Sequence, residues 1–166
     1  MEFLQPVRFS MTALGMWNDC NTPPPAPDFD SPLFQKVTHL DLTDNWEFWK
    51  HWTKFDSLPN LTHLELRLGS ENDFKKVRQP LRAILSSCKK LEVLVILVNY
   101  QPGCILGLTA IGDPRCVVLR QASLTENWEA HARGKTDRWV KAESVVRAQR
   151  RAIAVHSKPS SSKSLS

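Results

Sequence analysis

The chain has 166 residues, of which 42% are apolar, and this is enough for one domain with a hydrophobic core. Its net charge of +5 comes from residues 134–166, where eight Lys or Arg stand against only Asp137 and Glu143. The amino terminus lacks a basic start followed by an apolar run, and no apolar stretch reaches the roughly 20 residues that span a bilayer, so we expect an intracellular protein, cytoplasmic or nuclear, without a membrane partner.

Residues 1–33 predict little regular structure. The alternation of Leu4, Val7 and Phe9 fits a strand, which Pro6 would restrict to the edge of a sheet, and the rest is rich in proline. We interpret this region as a partial or divergent first repeat followed by a proline-rich loop.

Three later segments share the pattern apolar-x-x-Leu-x-apolar, and internal repetition of this kind is typical of a solenoid. They begin at Val37, Leu61 and Leu91. Alternate side chains of a strand face opposite sides, so each segment carries an apolar row that only neighbouring strands can bury. Parallel strands in register would stack these rows into two ladders, one of Leu40, Leu64 and Leu94 and one of Leu42, Leu66 and Ile96. We predict a fourth strand over residues 116–120.

The segments between the strands predict helices. After the first strand, Asp44 and Glu47 have the spacing of a capping box, and aromatic residues recur at spacings of three and four from Trp46 to Phe55. After the second strand, apolar residues from Phe74 to Leu85 keep a helical period, but Pro80 interrupts it and favours two short helices. The sequence therefore predicts an α/β fold, with a short leucine-rich-repeat-like solenoid over residues 34–133 whose curved parallel sheet carries helices on its convex side.

The basic carboxyl-terminal region predicts one helix and a tail. Trp139, Ala142, Val146 and Ile153 lie roughly on one helical face, and Thr136 can cap the start. We expect residues 134–155 to form a basic helix that covers the open end of the last repeat, as terminal caps do in repeat proteins. Residues 156–166 have almost nothing to bury, and we expect them to be disordered.

These motifs resemble the leucine-rich carboxyl-terminal region of the F-box-like protein family of mushroom-forming fungi. The resemblance covers roughly residues 34–150 and rests on the repeats that begin at Phe34, Leu58 and Cys88, on the phrase Asp113-Pro114-Arg115-Cys116-Val117-Val118-Leu119 and on a late Trp128-Glu129-Ala130. It implies a substrate receptor of a ubiquitin ligase, in which an F-box binds an adaptor and the repeats bind the target. Residues 1–33 carry no F-box-like helical pattern, so we expect a truncated receptor and no adaptor bound through this region.

Candidate chemistry is sparse along the chain. Strand register would make His39 and His63 neighbours, flanked by Asp41 and Glu65, and such a set can hold a metal ion. We favour a solvent-exposed ladder instead, and predict no catalytic residue, no metal and no cofactor. The four cysteines stand singly, and Cys88 and Cys116 fit buried apolar positions better than zinc ligands.

Three functions remain open on these grounds. The first is a non-catalytic protein-interaction module, for which we predict a partner-binding surface on the concave face of the sheet, at His39, Asp41, His63, Glu65, Val93 and Val95. Its occupant would be a basic segment of another protein or the arginine-rich tail of this chain. The alternative is a nucleic-acid or nuclear-associated factor that binds through the basic carboxyl-terminal segment, although no aromatic residue follows Trp139 to stack on bases. The third is a metal-dependent enzyme that would use the two histidines.

Overall fold

Five parallel strands form one sheet in this protein, whose computed structural model describes residues 7–11, 26–49, 52, 54–68, 73–98, 111–121 and 137–156. The strands lie side by side in the same order as in the sequence, and every neighbouring pair is parallel. They are β1 (Val7–Met11), β2 (Val37–Asn45), β3 (His63–Leu68), β4 (Val93–Val98) and β5 (Cys116–Arg120). The predicted α/β class with a parallel sheet is thus confirmed, and so is a strand at Val7 and Phe9.

The register of the central strands follows the repeats. Leu40 lies opposite Leu64, and Leu64 lies opposite Leu94, which confirms the first predicted ladder. In the second ladder Leu66 pairs with Ile96, but the register of β2 against β3 shifts after Asp41. The side chains of these ladders are fully buried in one hydrophobic cluster, the crossover core, which also takes up the apolar residues of the segments between the strands.

The first crossover differs from the single helix that the aromatic spacing predicts. Strand β2 continues to Asn45, so the expected capping residue Asp44 is part of a strand. Helix α1 (Trp46–Trp49) has four residues, and a 3-10 turn follows at Lys54–Ser57. Four aromatic side chains are buried here: Trp46, Trp49, Trp52 and Phe55. The regular spacing of these aromatic residues therefore reflects burial along the whole crossover and not one continuous helix. The indole N–H of Trp49 also donates to the carbonyl of Arg67 at 3.2 Å.

The second crossover is one helix, α2 (Asp73–Ser87), with Pro80 inside it, so the expectation of two short helices was wrong. A proline inside a helix costs about 3 kcal/mol, because it removes one hydrogen bond and its ring crowds the preceding turn. Four apolar side chains on both sides of Pro80 are buried in the crossover core: Val77, Leu81, Ile84 and Leu85. Each contributes roughly 1.5–3 kcal/mol, and this outweighs the loss at the proline.

Arg115 ties three elements together where the chain enters β5. Its guanidinium pairs with the Asp113 carboxylate at 2.7 Å and donates to the carbonyls of Leu85 at 2.7 Å and Leu91 at 3.3 Å. The same Asp113 accepts the backbone N–H of Arg115, and these bonds lower the pKa of the Asp113 carboxyl below its usual range. The Asp-Pro-Arg phrase therefore fastens the end of α2 to the starts of β4 and β5.

The last described element is α3 (Arg138–His156), which packs on the face of the sheet opposite the crossover core. No helix in the described part of the chain is long and apolar enough to cross a membrane. The proline-rich loop up to residue 25 and the tail after residue 156 lie outside the described residues.

The ladder predicts a measurable difference between two single substitutions. Leu64 is fully buried at the centre of the sheet, so Leu64→Ala should lower the free energy of unfolding by about 2–5 kcal/mol through lost burial and an unfilled cavity. Lys76→Ala, on the exposed side of α2, should change it by less than about 0.5 kcal/mol. Urea titration measures both values, and similar losses for the two variants would contradict the assigned register.

Candidate functional site

Helix α3 covers the face on which we predicted partner binding. Its buried residues Trp139, Ala142 and Val146 are spaced by three and four, as one helical face requires. They form a second cluster, the α3 core, with apolar side chains of β4 and β5: Val93, Val95, Leu97 and Val117. We expected this helix to cover the open end of the last repeat. Its contacts are with the face of the sheet that β4 and β5 form.

The half of this face that belongs to β2 and β3 is polar. It consists of His39, Asp41, His63 and Glu65, which we call the His/acid ladder. His39 pairs with His63 and Asp41 with Glu65 in the parallel register, as predicted. The expectation of a solvent-exposed ladder was wrong, because the two histidines are 8% and 6% exposed and Glu65 is 0% exposed. Only Asp41 keeps partial contact with solvent.

The two imidazoles are stacked and share one aromatic neighbour. Their ring centroids are 4.1 Å apart with an angle of 5° between the planes, and Trp139 meets both rings edge-on at 5.3 and 5.5 Å. Burial lowers the pKa of His39 to about 4, with the neighbouring His63 as the second cause. Burial also lowers the pKa of His63, against the opposing effect of Glu143. Both rings are therefore neutral at pH 7, and neutral rings can stack without charge repulsion.

Threonine hydroxyls orient the two rings in the same way. Thr62 Oγ1 lies within hydrogen-bond distance of the carbonyl of Thr38, at 3.1 Å, and of Nδ1 of His63, at 2.8 Å. Thr38 Oγ1 likewise lies 3.3 Å from the carbonyl of Val7 and 2.9 Å from Nδ1 of His39. Each histidine ring is thus held at Nδ1 by the threonine that precedes it in the sequence.

Glu65 is a buried carboxyl group beside Asp41 on the neighbouring strand. Burial raises the pKa of Glu65 to about 8, with the adjacent Asp41 charge as the second cause and the Arg138 guanidinium opposing both. Arg138 Nη1 donates to Glu65 Oε1 at 2.7 Å. Among the described residues, Glu65 Oε2 and Asp41 Oδ1 are buried without another hydrogen-bond partner, and a proton held by Glu65 lets one donate to the other. A proton on Glu65 removes the repulsion between the two carboxyl groups, and Arg138 binds the other oxygen of Glu65.

The start of α3 is fastened to the other strands as well. Asp137 forms an ion pair with Arg8 of β1, and its Oδ1 accepts the backbone N–H of Trp139 at 3.1 Å, which caps the helix. Glu143 Oε1 lies 3.4 Å from Nε2 of His63, a contact that becomes an ion pair only when that imidazole is protonated. Thr136, the cap predicted from the sequence, lies outside the described residues.

All six predicted binding residues therefore lie on one face, and the chain's own helix covers five of them, while Asp41 keeps partial contact with solvent. Sequence reasoning placed the ladder correctly but missed its complement, Asp137, Arg138 and Trp139. The available signal was charge: an acidic ladder on the repeats and a basic tail beside it. The tail of this chain is one of the two occupants that we predict for this face, and α3, which belongs to that tail, contacts it.

Metal ligands and cysteine thiols are the remaining reactive groups of the described residues. No group of three His, Cys, Asp or Glu within the described residues could hold a metal ion. Burial raises the pKa of the Cys116 thiol to about 12 and also raises that of Cys88, so both stay protonated and unreactive at neutral pH. Comparison with known proteins adds no relative, since no family model, curated protein or solved structure matches the chain.

The raised pKa of Glu65 predicts how the free energy of unfolding depends on pH. Glu65 has an ordinary pKa of 4.5 and a folded pKa of about 8, so between these values the folded state holds a proton that the unfolded state has lost. The free energy of unfolding should therefore fall as pH rises through this range. His39, with a folded pKa of about 4 against 6.5, acts in the opposite direction below pH 6.5. The interval from pH 6.5 to 8 isolates Glu65.

Glu65→Gln should flatten the fall in stability between pH 6.5 and 8. The amide keeps an oxygen for Arg138 and supplies a permanent N–H to Asp41, so it imitates the protonated acid. Urea titrations at fixed ionic strength measure the slope, and Glu92→Gln, at an exposed position before β4, is the control that should keep the wild-type slope. Equal slopes for wild type and Glu65→Gln would mean that Glu65 is ionised throughout.

Proposed function

We propose that this chain is a non-catalytic protein-interaction module, built as a short leucine-rich-repeat-like solenoid. The observation that carries the proposal is the superposition of two repeats on neighbouring strands. His39, Leu40 and Asp41 lie beside His63, Leu64 and Glu65, each opposite its counterpart. A stack of like units builds an extended surface of matched side chains, which suits recognition of another protein.

The arrangement of the crossovers supports the solenoid part of the proposal. Strands follow in sequence order, and the segments between β2 and β3 and between β3 and β4 bury their apolar residues in the same crossover core. Each unit therefore contacts its sequence neighbours, as repeats do in a solenoid. The resemblance of the motifs adds a narrower proposal, that the repeats are the target-binding part of an F-box-type receptor of a ubiquitin ligase.

The charges of α3 favour this function over nucleic-acid binding. Arg138 is directed inward to Glu65, and Arg147 lies 3.3 Å from Glu143. Two of the cations that make the tail basic are thus engaged with carboxylates of the same chain. Nucleic-acid affinity depends on cations that can neutralise phosphates, and each one engaged elsewhere reduces it.

Affinity capture of the tagged full-length chain, with and without nuclease, tests the proposal. We expect a stoichiometric protein partner that nuclease does not remove. We also expect that the double variant Arg150→Gln with Arg151→Gln, at the exposed end of α3, retains this partner equally. Loss of all bound material with nuclease, or a salt dependence of binding that the double variant weakens by about two counterions, would favour the nucleic-acid function instead.

A further inference from the structure

The contact between α3 and the sheet differs in kind from the crossover core. The crossover core is built from apolar side chains, whereas α3 rests partly on the His/acid ladder. Burying ionisable groups in this way is costly unless every one is paired, and polar contacts of this type are common between bodies that separate and rejoin. The composition of the contact therefore fits a reversible association better than a permanent core.

The first half of α3 supplies its buried side chains, and from the second half Arg150 donates one hydrogen bond to the carbonyl of Glu92 at 3.4 Å. Its buried residues end at Val146, and the residues from Arg150 to Val155 are exposed. The first half of α3 thus carries a short docking motif. It consists of the acidic cap Asp137, then Arg138 and Trp139, then the small residue Ala142 and the aliphatic residue Val146. Ala142 is fully buried, so only a small side chain lets the helix approach this closely.

Each part of the motif has a complement on the sheet. Asp137 pairs with Arg8 of β1, and Arg138 pairs with Glu65 of β3. Trp139 covers both stacked imidazoles, and Ala142 and Val146 lie on the apolar residues of β4 and β5. Departure of α3 would leave these apolar side chains in water, so the helix can leave only when another segment takes its place.

We propose that α3 is an intramolecular pseudo-ligand, and that the sheet face beneath it binds a helix of another protein with the same chemistry: an acidic cap, Arg-Trp in the first turn, then a small and an aliphatic residue. This inference rests on the proposed function and names the class of partner. A basic, tryptophan-bearing helix satisfies the Glu65 and Arg8 charges and refills the α3 core. Partner binding and α3 docking then exclude each other, which makes α3 autoinhibitory.

A peptide of residues 137–156, labelled at its carboxyl terminus, is the probe. In the full-length variant Arg138→Glu, the helix loses the guanidinium that donates to Glu65 and brings a third acidic side chain to Asp41 and Glu65, so its own α3 should be rejected and the face opened. We expect the wild-type peptide to bind this variant at least about 10-fold more tightly than it binds the wild-type chain, where α3 competes. The matched control Arg151→Glu, at an exposed position near the end of the same helix, should bind like wild type.

Binding of the peptide with equal affinity to wild type and Arg138→Glu would overturn the proposal, as would no binding to either. Should Arg138→Glu fail to fold, hydrogen exchange of the wild-type chain decides. Two results together would support exchange of helices. The amides of α3 should exchange faster than those of β3 and β4, and added peptide should slow exchange at the amides of the sheet face but not at those of α3. Amides of α3 that open only with the whole sheet refute it.

Two further results separate this proposal from the proposed function. If the full chain captures a protein partner that the peptide does not displace, the module stands and the pseudo-ligand fails. If the peptide binds Arg138→Glu but no protein is captured, the exchange stands and the proposed function fails. A wild-type dimer in light scattering that the peptide dissociates would assign the face to α3 of a second copy, and the proposal of a different protein would be wrong.

Discussion

The parallel register of Leu40, Leu64 and Leu94 is the constraint on which the rest of this structure depends. A strand alternates its faces with a period of two, so fixing these leucines in the crossover core also fixes which residues face the other way. His39 and His63 become neighbours, and so do Asp41 and Glu65, without any attraction between them. The polar ladder is thus a consequence of packing on the opposite side of the sheet.

This consequence creates an electrostatic problem that the sheet cannot solve alone. Two carboxyl groups on adjacent strands repel each other, and a helix that covers them removes the solvent that would screen them. A proton retained on Glu65 and the guanidinium of Arg138 reduce this repulsion. The histidines avoid a similar conflict by staying neutral, each held by the threonine that precedes it. The face therefore presents hydrogen-bonding groups and flat rings, and the guanidinium of Arg138 donates to the carboxyl group of Glu65.

Much of the fold was predictable because its determinants are local. The repeated pattern around Leu40 and Leu64 specifies strands and register, and the spacing from Phe74 to Leu85 specifies a helix. The prediction of two helices at Pro80 was wrong because the sequence shows the cost of a proline inside a helix. It does not show the burial of Val77 and Leu81 against the sheet, which outweighs that cost. The burial of the ladder was out of reach for the same reason, since Arg138 meets Glu65 from 73 residues away and no short pattern encodes that contact.

The separation between Glu65 and Arg138 also has a consequence during synthesis. All five strands precede α3 in the sequence, and a ribosome adds about 5–20 residues per second, so the ladder waits roughly 4–15 seconds for its own helix to be made. For that interval the nascent chain carries an open face whose complement does not yet exist. Translation speed between β3 and α3 thus sets how long the nascent face stays uncovered.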